Sequence, residues 1–116
     1  MSELDDRSRL QHALQSAELV LDAVAARGLN IIFSDPLLIG GVERHLAIIG
    51  EAINKLSPDF RDRHPELEWK KIVRFRNFLV HEYFAIDYAI VVDILQVKLP
   101  ALATVLSQLL STPNAD

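Results

Sequence analysis

The sequence predicts an all-α fold, an up-and-down bundle of four to five helices. Apolar residues recur at spacings of three and four along most of the 116 residues, and glycine or proline separates these stretches. Half of the residues are hydrophobic, which is enough for one core and suggests buried surface beyond that of a monomer. We expect a single domain over residues 1–116, with a short frayed tail at 111–116.

The first helix is predicted from Asp5 to Arg27. Its apolar residues have the spacing of one helix face, and Gly28 ends it. Leu29 to Phe33 is apolar and has the length of a short strand. A lone strand would have nothing to pair with, so we predict a packed connector there.

A second helix follows, capped by Ser34 or Asp35 and carrying Pro36 in its first turn. It stops at Ser57-Pro58, because proline disfavours helix in the preceding residue. Its predicted inward residues are Leu38, Val42, Leu46, Ile49, Ile53 and Leu56. Its glycines have low helix propensity, so we expect each to permit close approach of another helix: Gly40, Gly41 and Gly50.

The remaining chain predicts two more helices. Residues 59–68 are charged and interrupted by proline, which indicates a surface loop with a short helical turn. A third helix is predicted from Trp69 to about Glu82. Asp87 caps a fourth, which Pro100 kinks or splits. Its predicted inner side carries Tyr88, Val91, Val92, Leu95 and Leu99.

The third helix bears several polar side chains between apolar neighbours. Arg74, Asn77 and His81 fall near one azimuth, because steps of three and four residues return to the same helix face. Arg76 lies five residues before His81, about 140° around the axis. The two groups therefore meet only through the reach of the arginine or in a shared cleft, for instance across the two-fold of a homodimer.

An arginine and a histidine in one cleft suit metal-independent cleavage of RNA. Imidazole has an unperturbed pKa near 6.5, so it serves in either proton transfer. A guanidinium binds phosphate oxygens and stabilises the extra charge of the pentacoordinate state. Asn77 is placed to hydrogen-bond the imidazole of His81 or a ribose hydroxyl.

The stretch Arg76-Asn77-Phe78-Leu79-Val80-His81-Glu82-Tyr83 resembles the R-x4-H-x-Y signature of the HepT-like family of the HEPN superfamily. The resemblance extends to Ile49-Gly50-Glu51-Ala52, similar to the I-G-E-A element of that family, and to Leu56-Ser57-Pro58. It covers roughly residues 5–110, with further similarity at Trp69-Lys70-Lys71-Ile72-Val73, Asp87 and Leu99-Pro100.

This resemblance implies a metal-independent endoribonuclease toxin of a type VII-like toxin-antitoxin pair. Arg76 and His81 would be catalytic, with Asn77 supporting them. The antitoxin would be a minimal nucleotidyltransferase that transfers AMP from ATP to Tyr83. The added phosphate and bulk would repel and occlude an RNA backbone.

Two further residues are expected to support the site, and a third residue is unfavourable for phosphate binding there. Glu51 would face the third helix and pair with Arg76 or orient His81, unless it is a solvated surface residue. Arg74 shares the polar stripe. Glu82 stands where many relatives carry a small residue, and its charge would hinder a phosphate unless the side chain points to solvent.

The composition of the chain argues against a metal site, a membrane span and a broadly basic RNA-binding surface. The chain has no cysteine, and its histidines do not show ligand spacing, so we expect no metal site and no cofactor. An acidic N-terminus and the absence of a long apolar run predict a cytoplasmic protein without a membrane span. The net charge of −4 requires that any positive charge for RNA be local, as in the cluster Arg61, Arg63, His64, Lys70, Lys71, Arg74 and Arg76.

Two alternatives remain open from the residues. The chain could be a non-catalytic subunit that presents nucleotide or substrate to a nucleotidyltransferase. It could also be a structural dimer whose polar stripe only sets the specificity of the interface.

Overall fold

The part of the chain that the structure describes is entirely helical. The computed structural model describes residues 3–65 and 88–111, and no strand occurs within them. The first range contains helices α1 (Glu3–Arg27), α2 (Leu29–Ser34), α3 (Pro36–Asn54) and α4 (Pro58–Arg63). The second contains α5 (Tyr88–Asp93), a π-helical turn (Ile94–Lys98) and α6 (Leu99–Ser111).

The all-α prediction is therefore confirmed for these two ranges. The number of helices in the bundle and the homodimer stay predictions. The third predicted helix, from Trp69 to Glu82, and the capping residue Asp87 lie outside the described residues.

Gly28 separates α1 from α2. Its φ of 82° lies in the left-handed region, where glycine has no Cβ to clash, and it donates its N–H to the carbonyl of Val24 at 2.9 Å. The next segment, predicted as a packed connector, is the short helix α2, whose Ile32 is fully buried. The prediction that this segment is not a strand is confirmed, and the connector forms a short helix.

Asp35 caps α3, and Ser34 does not. The Asp35 carboxylate accepts hydrogen bonds from the backbone N–H groups of Leu37, at 2.9 Å, and Leu38, at 3.4 Å. Pro36 follows as the first helical residue, where its missing N–H removes no helical hydrogen bond. The hydroxyl of Ser34 instead donates to the carbonyl of Ile31 at 3.0 Å, within α2.

The buried residues of α3 are those that the spacing predicts. The surroundings of two of its glycines differ from the prediction. Val42, Leu46, Ile49 and Ile53 are buried, and Leu38 is half-buried. A Cβ added at Gly40 or Gly41 would meet nothing within 4 Å, and both residues are exposed. The expectation that these two glycines permit close helix approach is wrong for the described part of the chain, because none of its elements packs against that side of α3.

The core lies between α1, α3 and the C-terminal helical stretch. α1 packs against α3 on one side and against α6 on the other. Its own buried residues recur at steps of three and four, which aligns them on one face: Leu10, Ala13, Ala17 and Val20. α1 is therefore the helix that joins the two halves of the core.

Pro100 is accommodated by a π-helical turn. The N–H of Leu99 donates to the carbonyl of Ile94, five residues back, in place of the usual four. Proline lacks the N–H of a regular helical bond and its ring crowds the preceding turn, so a wider turn before it relieves the clash. The predicted interruption is confirmed, although the helix widens and does not split.

The stretch Ala89–Ser111 is long and apolar, so the expectation that the sequence has no apolar run of membrane-spanning length is wrong. It has 23 residues and a mean hydropathy of 1.8 over its most apolar window, which by length and composition would allow it to cross a membrane. Core helices have the same properties. Here the stretch contributes Val91, Leu95, Leu99 and Leu106 to the core shared with α1.

Candidate functional site

The predicted catalytic stretch lies outside the described residues. This applies to Arg74, Arg76, Asn77, His81 and Tyr83, which stay predictions. The structure does describe the segments that flank this stretch, and we call the described helices the helical frame. α4 and Pro65 precede it, and α5 follows it.

A buried carboxylate holds the α3–α4 junction against α1. Asp6 is 2% exposed, and its two oxygens accept hydrogen bonds from the backbone N–H of Ser57, at 2.9 Å, and from the hydroxyl of Ser57, at 2.6 Å. The Ser57 hydroxyl in turn accepts from the N–H of Phe60 at 3.1 Å, which caps α4. One chain of hydrogen bonds therefore links the first turn of α1 to the start of α4.

Arg61 fixes α4 against the end of α3. Its Nη2 donates to the carbonyls of Ile53, at 3.1 Å, and Asn54, at 2.9 Å. These carbonyls belong to the last turn of α3, where the regular helical hydrogen bonds end, and the Ile53 carbonyl also accepts the N–H of Leu56 at 3.1 Å. A cation there also interacts favourably with the negative end of the helix dipole.

At the end of α4, a guanidinium and an imidazole lie against the ring of Phe60. The Arg63 guanidinium lies 5.7 Å from the ring centroid of Phe60, and the rings of Phe60 and His64 are 4.5 Å apart, tilted by 38°. Arg63 also pairs with Asp59, one turn back, at 3.6 Å. Phe60 is buried, so this arrangement orders α4 just before residue 66.

Glu51 lies in the penultimate turn of α3 and is half-buried. Its carbonyl accepts the N–H of Lys55 at 3.2 Å, and its neighbour Gly50 is buried. A half-buried position is consistent with a side chain that faces another element more than with a fully solvated one. The predicted partners, Arg76 and His81, lie outside the described residues.

Asp6 is the residue that sequence reasoning missed. The sequence did carry a signal, because Asp6 precedes Leu10, Ala13 and Ala17 by four, seven and eleven residues and so belongs to the buried face of α1. A charged residue on such a face needs a partner. The partner, Ser57, had been assigned only to the end of a helix.

The frame contains a second buried polar contact. The Ser16 hydroxyl lies 3.1 Å from Nδ1 of His45 and connects α1 to α3. A serine beside a histidine is the arrangement of an activated nucleophile, but Ser16 is only 5% exposed, so a substrate cannot reach it. Within the described ranges, no group of three or more histidine, aspartate or glutamate side chains is placed to hold a metal ion.

The comparison with protein families matches residues 10–109 to the model described as "Ribonuclease HepT-like". The chain belongs to the HepT-like ribonuclease family. The matched residues include Asp35, Glu51 and Ser57 of the described frame as well as the whole stretch from Arg76 to Tyr83. The family resemblance read from the residues is thereby confirmed.

Individual members of the family are similar over most of the chain. A protein of Caldanaerobacter subterraneus subsp. tengcongensis named "Putative RNase" is 34% identical over 104 residues, covering 90% of this chain and 93% of its own. A protein of Methanocaldococcus jannaschii with the same description is 35% identical over 100 residues, covering 86% and 92%. A "Probable ribonuclease HepT" of Thermococcus cleftensis is 38% identical over 61 residues, covering 53% and 56%. No solved structure is significantly similar to the chain.

Proposed function

We propose that this HepT-like protein is a metal-independent endoribonuclease whose Arg76 and His81 carry the chemistry. The observation that supports it most is the family match, which spans the arginine–histidine motif and relates the chain to proteins named as ribonucleases. The helical frame supports it in a second way. Hydrogen bonds and a stacked ring order the chain up to residue 65, shortly before the motif.

The proposed reaction is an internal transfer of the phosphodiester. One imidazole accepts the proton of the ribose 2′-hydroxyl, and the 2′-oxygen forms a bond to the adjacent phosphorus. The bond between phosphorus and the 5′-oxygen breaks, and an acid gives that oxygen a proton. The products are a 2′,3′-cyclic phosphate and a free 5′-hydroxyl.

The roles of the side chains follow from their charges. Arg76 stabilises the negative charge that builds on the phosphoryl oxygens, and Asn77 orients His81 or a ribose hydroxyl. In a homodimer, each cleft would take Arg76 from one protomer and His81 from the other, so the dimer would supply the pair twice. Arg74 and Glu51 would support the cleft through charge.

The decisive experiment is cleavage of total cellular RNA by the purified protein in EDTA. We expect cleavage that leaves cyclic phosphate ends, and we expect His81→Ala to lower the rate about 100-fold to 10,000-fold, the usual contribution of a general acid or base. Arg76→Ala should show a comparable loss. His12→Ala, at an exposed position of α1, is the matched control and should cleave like the wild type.

Other outcomes would change the proposal in defined ways. If EDTA abolishes cleavage, the metal-independent mechanism is wrong. If the wild type and His81→Ala do not differ although Tyr83 is unmodified by intact mass, the chain is better described as a non-catalytic subunit that binds nucleotide or substrate. Circular dichroism of each variant shows whether cleavage is lost because a catalytic side chain is missing or because the protein is unfolded.

We also propose that a minimal nucleotidyltransferase antitoxin inactivates the protein by adenylylating Tyr83, in the cytoplasm and without a membrane anchor. A nucleotidyl group on that phenol would add negative charge two residues from His81 and repel an RNA backbone. Incubation with the nucleotidyltransferase and ATP should add adenylyl mass and suppress RNA cleavage. Tyr83→Phe should gain no mass and keep its activity; suppression of Tyr83→Phe as well would place the control elsewhere.

A further inference from the structure

An open groove of about 420 Å³ runs between α1 and α6. Its floor is apolar and is made by Leu14 and Leu21 of α1 with Pro100 and Ala103 of α6. The lining on α1 spans residues 14 to 22 and that on α6 spans 100 to 108, so each wall is about 12 Å long at 1.5 Å per residue. The groove is therefore two helical turns in length.

The two helices that form the groove are antiparallel. The Arg7 guanidinium in the first turns of α1 donates to the carbonyl of Leu110 near the end of α6. Two antiparallel helices packed side by side leave the kind of furrow into which a third helix of a bundle fits. Within residues 3–65 and 88–111, only α1 and α6 line the groove, and it is open on its outer side.

One wall of the groove is negatively charged. Glu18 and Asp22 stand one turn apart on α1, and both are exposed. Neither has an ion-pair partner within the described part of the chain. Two carboxylates at this spacing repel each other and weaken an isolated helix, so folding alone gives no reason for the pair.

None of the described residues that line the groove is a cation, and two cations beyond its ends are engaged elsewhere. Arg7 is bonded to the Leu110 carbonyl, and Lys98 pairs with Asp93 at 3.7 Å. The opposite wall carries neutral groups, Thr104, Ser107 and Gln108, and the Thr104 hydroxyl donates to the carbonyl of Pro100 at 3.1 Å. The groove thus joins an apolar floor to one uncompensated negative edge.

We propose that this groove is the docking site for a cationic amphipathic helix of a partner protein. Leucine-like side chains of that helix would cover the apolar floor, and two of its lysine or arginine residues, four positions apart, would match the spacing of Glu18 and Asp22. The long aliphatic stems of these cations suit an apolar floor beside a charged edge. The proposal does not depend on the ribonuclease activity.

The charge of the groove argues against two other occupants. RNA carries its negative charge along the whole backbone and would be repelled by Glu18 and Asp22. A second copy of this chain, joined through the same groove by a two-fold axis, would bring four carboxylates together. A partner helix with positive charge meets neither obstacle.

The test uses a synthetic helical peptide with a leucine face flanked by two lysines four residues apart, and a scrambled peptide of the same composition. Titration of the ¹⁵N-labelled full chain should shift amide signals of the α1 and α6 residues that line the groove. The scrambled peptide should not bind there, because its apolar and cationic residues no longer share one face. Shifts that centre on other acidic residues, such as Asp59 and Asp62, would overturn the proposal.

Matched variants distinguish peptide binding to the groove from a general attraction of the peptide to negative charge. Glu18→Gln with Asp22→Asn should weaken peptide binding about threefold to tenfold, the range expected for two exposed ion pairs. Glu43→Gln with Asp62→Asn removes the same charge outside the groove and should leave binding unchanged. Ser107→Trp, which fills the groove from an exposed rim position, should block binding while circular dichroism stays native.

Three results would contradict the docking site. Equal weakening by both pairs of neutralised acids would mean that only net charge attracts the peptide. Full binding by Ser107→Trp would mean that the groove itself is not used. Growth of a dimer in sedimentation when Glu18 and Asp22 are neutralised, with no loss of peptide affinity, would favour a second copy as the occupant.

Discussion

Asp6 shows how one buried side chain organises this chain. A carboxylate that is 2% exposed is costly to bury without hydrogen bonds, and Ser57 supplies two of them. The same serine caps α4 through the N–H of Phe60. The position of α4 relative to α1 therefore depends on a contact between two small polar residues.

We predict that Asp6→Ala lowers the free energy of unfolding by about 2–3 kcal/mol. The substitution leaves the N–H and the hydroxyl of Ser57 buried without their acceptor, and such groups cost the full desolvation penalty. Chemical denaturation followed by circular dichroism measures the change. Asp22→Ala, an exposed acid on the same helix, is the control and should change stability by less than about 0.5 kcal/mol.

The pair can also be tested by a double-mutant cycle. Ser57→Ala removes the hydroxyl hydrogen bond to Asp6 together with the cap of α4, and it keeps the hydrogen bond from the backbone N–H. If Asp6 and Ser57 act as one unit, the double variant should be more stable than the sum of the two losses predicts, with a coupling of about 1–2 kcal/mol. Strict additivity would show that the two residues stabilise the fold independently.

Roles that depend on neighbouring residues were predictable from the sequence, and roles that depend on distant ones were not. Asp35 was recognised as a possible cap because it stands directly before Pro36 and an apolar helix pattern. The partner of Asp6 lies 51 residues away, and no local pattern names it. A buried acid predicts that a partner exists without saying which residue it is.

At the level of helices, glycine, aspartate and proline set the boundaries. Gly28 adopts the positive φ that lets α1 end, Asp35 caps α3, and Pro100 follows a widened π-helical turn. The wide turn also brings Asp93 and Lys98, five residues apart, into an ion pair of 3.7 Å. These features follow from backbone chemistry, so the sequence predicted their positions to within a few residues.

The packing of helices against one another was less predictable. Gly40 and Gly41 were expected to permit close approach, yet both face open space. Low helix propensity shows that a glycine is unusual in a helix but not which surface covers it. For the candidate site, the motif and the family could be predicted from the sequence. The arrangement of the side chains of the motif could not, because it depends on contacts between residues that are distant in the sequence.

We predict that Asp35→Ala destabilises the protein by about 1 kcal/mol, whereas Ser34→Ala has a smaller effect. Asp35 accepts two N–H groups at the start of α3, while the Ser34 hydroxyl only donates to a carbonyl within the exposed turn of α2. Thermal unfolding of the two variants beside the wild type distinguishes them. A larger loss for Ser34→Ala would mean that the two residues have been assigned the wrong roles.

At the level of the whole molecule, we propose that the site is shared by two chains. Arg76 and His81 are about 140° apart on an ideal helix, so a cleft shared by two protomers is the simplest way to bring them together. A hydrophobic content of one half is consistent with a second copy covering part of the surface. In this proposal, formation of the homodimer is a condition for catalysis.

We predict that two inactive variants restore each other. Arg76→Ala and His81→Ala, mixed after partial unfolding and refolding, should regain roughly a quarter of wild-type RNA cleavage, because half of the dimers are mixed and each has one intact cleft. Refolding each variant alone is the control and should stay inactive. No recovery from mixtures that contain mixed dimers by native mass spectrometry would mean that each site is built from a single chain.

The central position of α1 affects the order in which this protein can fold during synthesis. Its contacts reach Ser57, 51 residues later, and Leu110, 103 residues later, so the last of them forms only after Leu110 has left the ribosome. Until α6 emerges, the side of α1 that it covers remains bare on the nascent chain. Chains that stall or are truncated before α6 should accordingly be the forms that need a chaperone.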